Sequence, residues 1–193
     1  MQKRLDKGSR GDHVDGVLAE WRKEEPRLDT SPVAVVARIG RAAALLDRGL
    51  NENFGRFGLN RTSWDALAAL RRVGPPYRRS PTELYRSLMR TSGGMTHVVD
   101  RLEQAGLVER VADQEDRRGL LVGLTRKGRA LVARVGPSHL DTERRLLGAL
   151  TKQEQAELRA AAQKAADRSR AAISGSQVTR SVSGVVTLTY QVV

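Results

Sequence analysis

Apolar residues recur at steps of three and four along most of this chain, and only the stretch 107–124 changes to strand-like composition and period. That single switch points to a mainly helical fold carrying one β-hairpin. Val36, Ile39, Ala43, Leu46, Leu50 and Phe54 form the stripe of one long helix. Ser31 reads as its N-cap, with Pro32 at the first helical position, and Gly55 and Gly58 close it. Residues 13–25 predict a shorter helix with Val14, Val17, Leu18 and Trp21 on one side, stopped by Pro26. Asn60 or Thr62 caps a helix carrying Trp64, Leu67, Ala68 and Leu70.

Gly74-Pro75-Pro76 breaks the chain, and Ser80-Pro81-Thr82-Glu83 is a capping box with proline at the first position. The helix it opens is short, running to about Met89. A turn over 90–94 leads into a further helix within 91–106, whose apolar face is Met95, Val98, Val99 and Leu102 and whose end is Gly106. Residues 107–111 and 120–124 read as two strands, joined by a charged loop over 112–119. Thr125 caps the next helix, with Leu131, Val132 and Val135. Gly136-Pro137 is expected to kink or interrupt it before Leu140, Leu146, Leu147 and Leu150. Thr151 to Glu154 is a second capping box, opening an alanine-rich last helix.

The formal net charge is +12, and its placement carries more information than its size. Residues 1–30 balance seven basic against seven acidic side chains, whereas residues 71–130 hold thirteen Arg and Lys against seven Asp and Glu. Excess positive charge gathered on one segment is the footprint of a polyanion partner. Cysteine is absent, which excludes a disulfide framework and a thiolate metal site. His13, His97 and His139 lie far apart without ligand spacing, and no phosphate loop or dinucleotide fingerprint is present. No enzyme, cofactor or metal is expected. No apolar run approaches the ~20 residues needed to cross a bilayer, and the N-terminus is charged, so the expected location is the cytoplasm, with no membrane partner.

Two helices joined by a tight turn can set the second into a major groove. Such a helix must bury an apolar face and present small and polar groups outward. Within 91–106, Met95, Val99 and Leu102 face in, which leaves Ser92, Gly93, Thr96, His97 and Arg101 facing out. The loop carrying Asp116, Arg117 and Arg118 suits a minor groove, where a guanidinium meets the most negative potential. Read singly, these are an ordinary surface helix and a solvated charge run. In this order they favour double-stranded DNA over RNA.

These residues resemble the MarR family of bacterial winged helix-turn-helix regulators. The similarity covers about residues 32–172. It is most specific in Asp113-x-x-Asp116-Arg117-Arg118-Gly119 followed by Leu124-Thr125-x-x-Gly128, and extends to Ser92-Gly93-Gly94-Met95-Thr96, Asp100-Arg101-Leu102-Glu103 and Gly106-Leu107-Val108. The resemblance implies a homodimer on a pseudo-palindromic operator, acting as a repressor. Its expected organisation is a disordered stretch at 1–12, an extension helix at 13–30 and a dimerisation helix at 31–58. The winged helix-turn-helix domain follows at 59–124, then C-terminal dimerisation helices at 125–173 and a tail of unassigned role at 174–193. Arg118 is then the minor-groove residue and Asp116 its orienting partner, beside Arg117. Ser80, Thr82, Ser92, Gly93, Thr96, His97 and Arg101 are the other expected DNA contacts.

A narrower similarity is to the urate-responsive MarR subfamily, in Trp21, Leu28-Asp29-x-Ser31-Pro32, Trp64-Asp65-x-Leu67-Ala68 and Gly74-Pro75-Pro76-Tyr77. It implies a pocket for a small aromatic or purine-like anion built by Trp21, Asp65 and Arg110. The fourth position of that pocket falls on Val98, where the subfamily has arginine, and a valine cannot replace a bidentate donor. Two other functions fit the composition: a sequence-tolerant nucleic-acid or nucleoid-binding protein, and a protein-interaction module without DNA readout.

Overall fold

The computed structural model describes residues 11–88, 95–113 and 119–175. It is mainly helical, with one small antiparallel sheet, as the periodicity implies. It divides into two compact units, residues 1–146 and 147–193. In the first unit the order is α1 (His13–Glu24), α2 (Ser31–Gly55), α3 (Arg61–Arg72), β1 (Arg78–Arg79), α4 (Pro81–Arg86), α5 (Met95–Gln104), β2 (Val108–Ala112), β3 (Leu120–Leu124) and α6 (Arg126–Leu146). The second unit contributes α7 (Lys152–Gly175). Among the described residues no helix is long and apolar enough to cross a membrane.

The helix starts follow local chemistry. Asp12 and Asp15 form a capping box on α1, Asn60 Oδ1 accepts the Ser63 N–H on α3 at 2.8 Å, and the Thr151–Glu154 box opens α7. At α2 the cap is Thr30 rather than Ser31. Asp29 Oδ1 accepts the Ser31 N–H at 2.9 Å, so Ser31 already sits in the first turn. Arg38 on α2 fastens α1 by donating to Asp12 at 3.0 Å and to Asp15 at 2.6 Å. The Asp15 N–H, followed by Arg38, holds the Asp12 carboxyl below the usual carboxylate range.

The core lies where α2, α3 and α6 meet the sheet and the inner face of α5. Phe54, Leu67, Leu70, Leu84, Val122 and Val135 are its largest fully buried side chains. Phe54 stacks on Trp64 at 5.5 Å between centroids, and His139 closes the cluster at 5.2 Å from Phe54. The apolar stripe of α2 therefore splits. Leu50 and Phe54 are buried, whereas Val36 and Ile39 remain 69% and 57% exposed, with Val33, Val35 and Leu45 beside them.

Pro137 neither ends nor interrupts α6, which runs unbroken from Arg126 to Leu146. A proline in a helix costs the hydrogen bond to the carbonyl four residues back and crowds the Cβ of the residue before it. Here that carbonyl belongs to Ala133, on an exposed position open to water, and the preceding residue is Gly136, which has no Cβ. At the next residue, Ser138 Oγ donates to the Oδ1 of the buried Asn53 at 2.7 Å and ties α6 to α2.

The sheet has the order β1-β3-β2. β2 and β3 pair from Val108 opposite Leu124 to Ala112 opposite Leu120, and the Asp113 N–H adds one rung to the Gly119 carbonyl at 2.9 Å. β1 has no counterpart in the sequence reading. Its two residues, Arg78 and Arg79, pair with Gly123 and Val122. Tyr77 leads into it with a left-handed φ of 62°, its ring centroid 4.8 and 5.6 Å from the guanidinium carbons of Arg71 and Arg129.

Candidate nucleic-acid interface

α4 and α5 are the two helices that the sequence reading expects to pair, and each is positioned by chemistry visible along the chain. Ser80 and Glu83 fix the start of α4. The Ser80 hydroxyl accepts the Glu83 N–H at 3.3 Å, and the Glu83 carboxylate accepts the Ser80 N–H at 3.0 Å and its hydroxyl at 2.9 Å. The backbone bond from Ser80 is the main reason the Glu83 carboxyl titrates below its usual range. Ser80 thus spends its hydroxyl on the cap, and Thr82 is exposed in the first turn.

α5 is strongly two-faced. Val98, Val99 and Leu102 are buried in the core, while Thr96, His97 and Arg101 are exposed. Val98, which the sequence reading places in the expected anion pocket, is a core residue, 8% exposed. The helix carries two carboxylates, Asp100 and Glu103, and both are engaged by Arg110 on β2. Arg110 Nη2 donates to Asp100 Oδ1 at 2.5 Å, Nη1 donates to Glu103, and the Arg110 backbone N–H donates to Glu103 Oε1 at 3.1 Å. The Asp100 hydrogen bond is the largest influence raising the Arg110 pKa. The negative charge of α5 is thereby paired off, leaving the hydroxyl of Thr96, the imidazole of His97, the guanidinium of Arg101 and the amide of Gln104 at its exposed positions.

The exit of α5 is fastened by the residues that open α6. Gly106 takes a φ of 67°, a left-handed conformation suited to glycine at a helix end. Thr125 Oγ1 donates to the Gly106 carbonyl at 2.8 Å and accepts the Gly128 N–H at 3.0 Å. Lys127 Nζ donates to the Ala105 carbonyl at 2.7 Å, where a cation also suits the negative end of the helix. Gly128 completes the fit. A Cβ there would lie 2.0 Å from the Leu107 carbonyl oxygen. The pattern Leu124-Thr125-x-x-Gly128 is thus a clasp on the C-terminal end of α5.

Of the other residues singled out from sequence, Ser92, Gly93, Asp116, Arg117 and Arg118 lie outside the described residues, as does the Met95 side chain. Trp21, Asp65 and Arg110 fall on α1, α3 and β2. Trp21 is 44% exposed. Arg61 Nε lies 3.3 Å from both Asp65 oxygens, and Arg61 Nη1 lies 3.5 Å from Asp47 on α2. Asp65 and Arg110 are thus both ion-paired within the chain. The sequence reading missed Asp100 and Glu103 as the partners of Arg110. Their spacing of three is the signal, since it stacks two carboxylates on one helix face. Among the described residues no group of three His, Asp or Glu could hold a metal ion.

A model of the MarR family matches residues 57–119. The HTH-type transcriptional regulator PecS of Dickeya dadantii is 38% identical over 147 residues, spanning 76% of this chain and 89% of PecS. Among solved structures, a mutant MarR from Escherichia coli complexed with operator DNA superposes with a TM-score of 0.63 at 28% identity, covering 72% of this chain and 97% of MarR. Sco3205 of Streptomyces coelicolor, a MarR family transcriptional regulator in complex with DNA, gives a TM-score of 0.65 at 29% identity, over 72% of this chain and 92% of Sco3205. These relatives are regulators of transcription rather than enzymes. The chain belongs to the MarR family of winged helix transcriptional regulators.

Proposed function

We propose that this chain is a homodimeric regulator that binds a pseudo-palindromic operator, with α5 in the major groove and the β2–β3 connection in the adjacent minor groove, and that it represses transcription. The observation that carries the reading is the division of α5: an apolar face in the core, both carboxylates turned to Arg110, and Thr96, His97 and Arg101 left for base edges and phosphates. The exposed valines and Ile39 of α2 supply a partner surface, since an apolar face of that kind is unusual on a monomer. Arg118 is assigned to the minor groove, with Asp116 orienting it and Arg117 beside it. The bacterial cytoplasm, on the nucleoid, is the location that goes with this function. Arg118→Ala is expected to weaken binding to the duplex upstream of the chain's own gene by about 1–3 kcal/mol, read by fluorescence anisotropy. Unchanged affinity would remove the connection from the interface.

The likeness to the urate-responsive subfamily supports a finer reading, in which a small aromatic or purine-like anion releases the repressor. Trp21 supplies an aromatic wall, Asp65 an acceptor and Arg110 a cation. Because Arg110 is already held by two carboxylates of α5, an anion that reaches it must displace them and so acts directly on the recognition helix. A purine and aromatic-acid panel is expected to yield a ligand that, at 100 times its Kd, stabilises the protein by about 2.7 kcal/mol in thermal-shift assays. Trp21→Ala should abolish that shift; a shift that survives places the ligand elsewhere.

A further inference from the structure

We infer that the cleft between the start of α3 and the last turns of α5 is an effector site for a small carboxylic acid with a short aliphatic body. Its effect on DNA rests on the regulator reading above; the site itself does not. The cleft has a volume of about 320 Å³, within the range of small-molecule sites. The buried Leu59, Leu102 and Leu107, with the methyl of Ala105, form its apolar part. Asn60, Ser63 and Arg101 supply its polar part, and among the described residues none that lines it is acidic. Trp21, Asp65 and Arg110 do not line it, so it is separate from the pocket expected for a purine-like anion.

Two groups in the cleft call for an oxyanion. Ser63 is only 6% exposed, and its N–H is taken by the Asn60 cap, yet among the described residues its hydroxyl has no hydrogen-bond partner. A buried hydroxyl left unmatched is costly, and a ligand oxygen in the cleft matches it. Arg101 is exposed and makes no ion pair among the described residues, so its planar fork is open to a carboxylate. The start of α3 adds the positive end of a helix dipole. The rest of the lining is leucine and alanine, with no aromatic ring among the described lining residues, so it suits an alkyl chain rather than a stacked heterocycle.

Arg101 couples this cleft to DNA. It stands one turn after His97 on the strip of α5 that the regulator reading turns toward the duplex, and it lines the cleft as well. A carboxylate that draws the guanidinium into the cleft withdraws it from the operator. Ligand and operator therefore weaken each other by the same factor, bounded by what Arg101 contributes to DNA binding.

Hexanoate is the probe, with hexanol as the body without the charge and acetate as the charge without the body. In isotope-labelled full-length protein, hexanoate is expected to shift the amide resonances of Ser63 and Ala105 saturably, and neither control should do so at the same concentration. Ala105→Leu fills the cleft from an exposed position and should abolish the response while operator affinity stays unchanged. Saturating hexanoate should lower operator affinity about tenfold, the order of one charged contact, and should have no further effect on Arg101→Gln. Equal shifts with hexanol or with acetate overturn the inference. So does a response that survives Ala105→Leu, or one that vanishes with Trp21→Ala and so belongs to the other pocket. Operator affinity unmoved by saturating hexanoate overturns the effector role. Should Ala105→Leu fail to fold, Ser63→Ala is expected to weaken hexanoate binding severalfold by itself, and unchanged binding there counts against the site. A parent protein with no operator preference would contradict the regulator reading, while the amide shifts still decide the site.

Discussion

Gly128→Ala is expected to destabilise the protein by about 3 kcal/mol or more. The sign is the opposite of the usual one, because alanine in a helix interior is favoured over glycine by roughly 1 kcal/mol. What reverses it is space. The added Cβ would lie 2.0 Å from the Leu107 carbonyl oxygen, 3.0 Å from its carbon and 3.2 Å from Leu124 Cδ2. Two of those three atoms are backbone and cannot rotate away. The first turn of α6 has to move off Leu107, and three bonds stretch with it: the Thr125 N–H to Leu107, the Thr125 hydroxyl to Gly106 and the Lys127 amine to Ala105. Urea unfolding should show the lowered midpoint, and operator affinity should fall as well, because the strained bonds hold the end of α5. Wild-type stability for Gly128→Ala would show that α6 can relax away from the strand at no cost.

Phe54→Ala should cost about 3–5 kcal/mol. Phe54 is fully buried, and its ring joins Trp64 of α3 and His139 of α6 in one aromatic cluster. Truncation removes the transfer energy of the ring, leaves a void among residues of three helices, and forfeits a ring-stacking term of about 0.5–1.5 kcal/mol. The urea midpoint should fall with little change in slope, since the surface exposed on unfolding is nearly the same. A loss under about 1 kcal/mol would mean that the cluster collapses around the gap and does not fix α2 against α3 and α6.

The parts of this fold legible in the sequence are those set by near neighbours. Asn60, Ser80 with Glu83, and Thr151 with Glu154 cap the next turn of their own helices, so spacing alone reveals them. The change of period marks β2 and β3, and the two-faced pattern of α5 follows from Val98, Val99 and Leu102 recurring at helical steps. What the sequence concealed depends on partners distant along the chain. β1 is two arginines whose strand character comes entirely from Gly123 and Val122. The stripe of α2 is continuous in sequence, yet within the chain Leu50 and Phe54 are buried while Val36 and Ile39 stay exposed. Pro137 reads as a breaker because its local effect is certain, whereas its tolerance depends on Gly136 and on an exposed Ala133. In the candidate site, Trp21, Asp65 and Arg110 stand out in the sequence only by likeness to a ligand pocket. The ion pairs of Asp65 with Arg61 and of Arg110 with Asp100 and Glu103 are set by how α3 presents Asp65 and how α5 meets β2.

The central claim is that α5 and the β2–β3 connection read DNA sequence rather than charge alone. Titrating the protein against the duplex upstream of its own gene and a random duplex of equal length, over a series of salt concentrations, tests it most directly. The account predicts a preference for the upstream duplex of at least about 10³ at physiological salt, with both affinities falling as salt rises. Equal affinities with the same steep salt dependence would instead describe a sequence-tolerant nucleic-acid binder, and no binding even at low salt would contradict the DNA reading altogether.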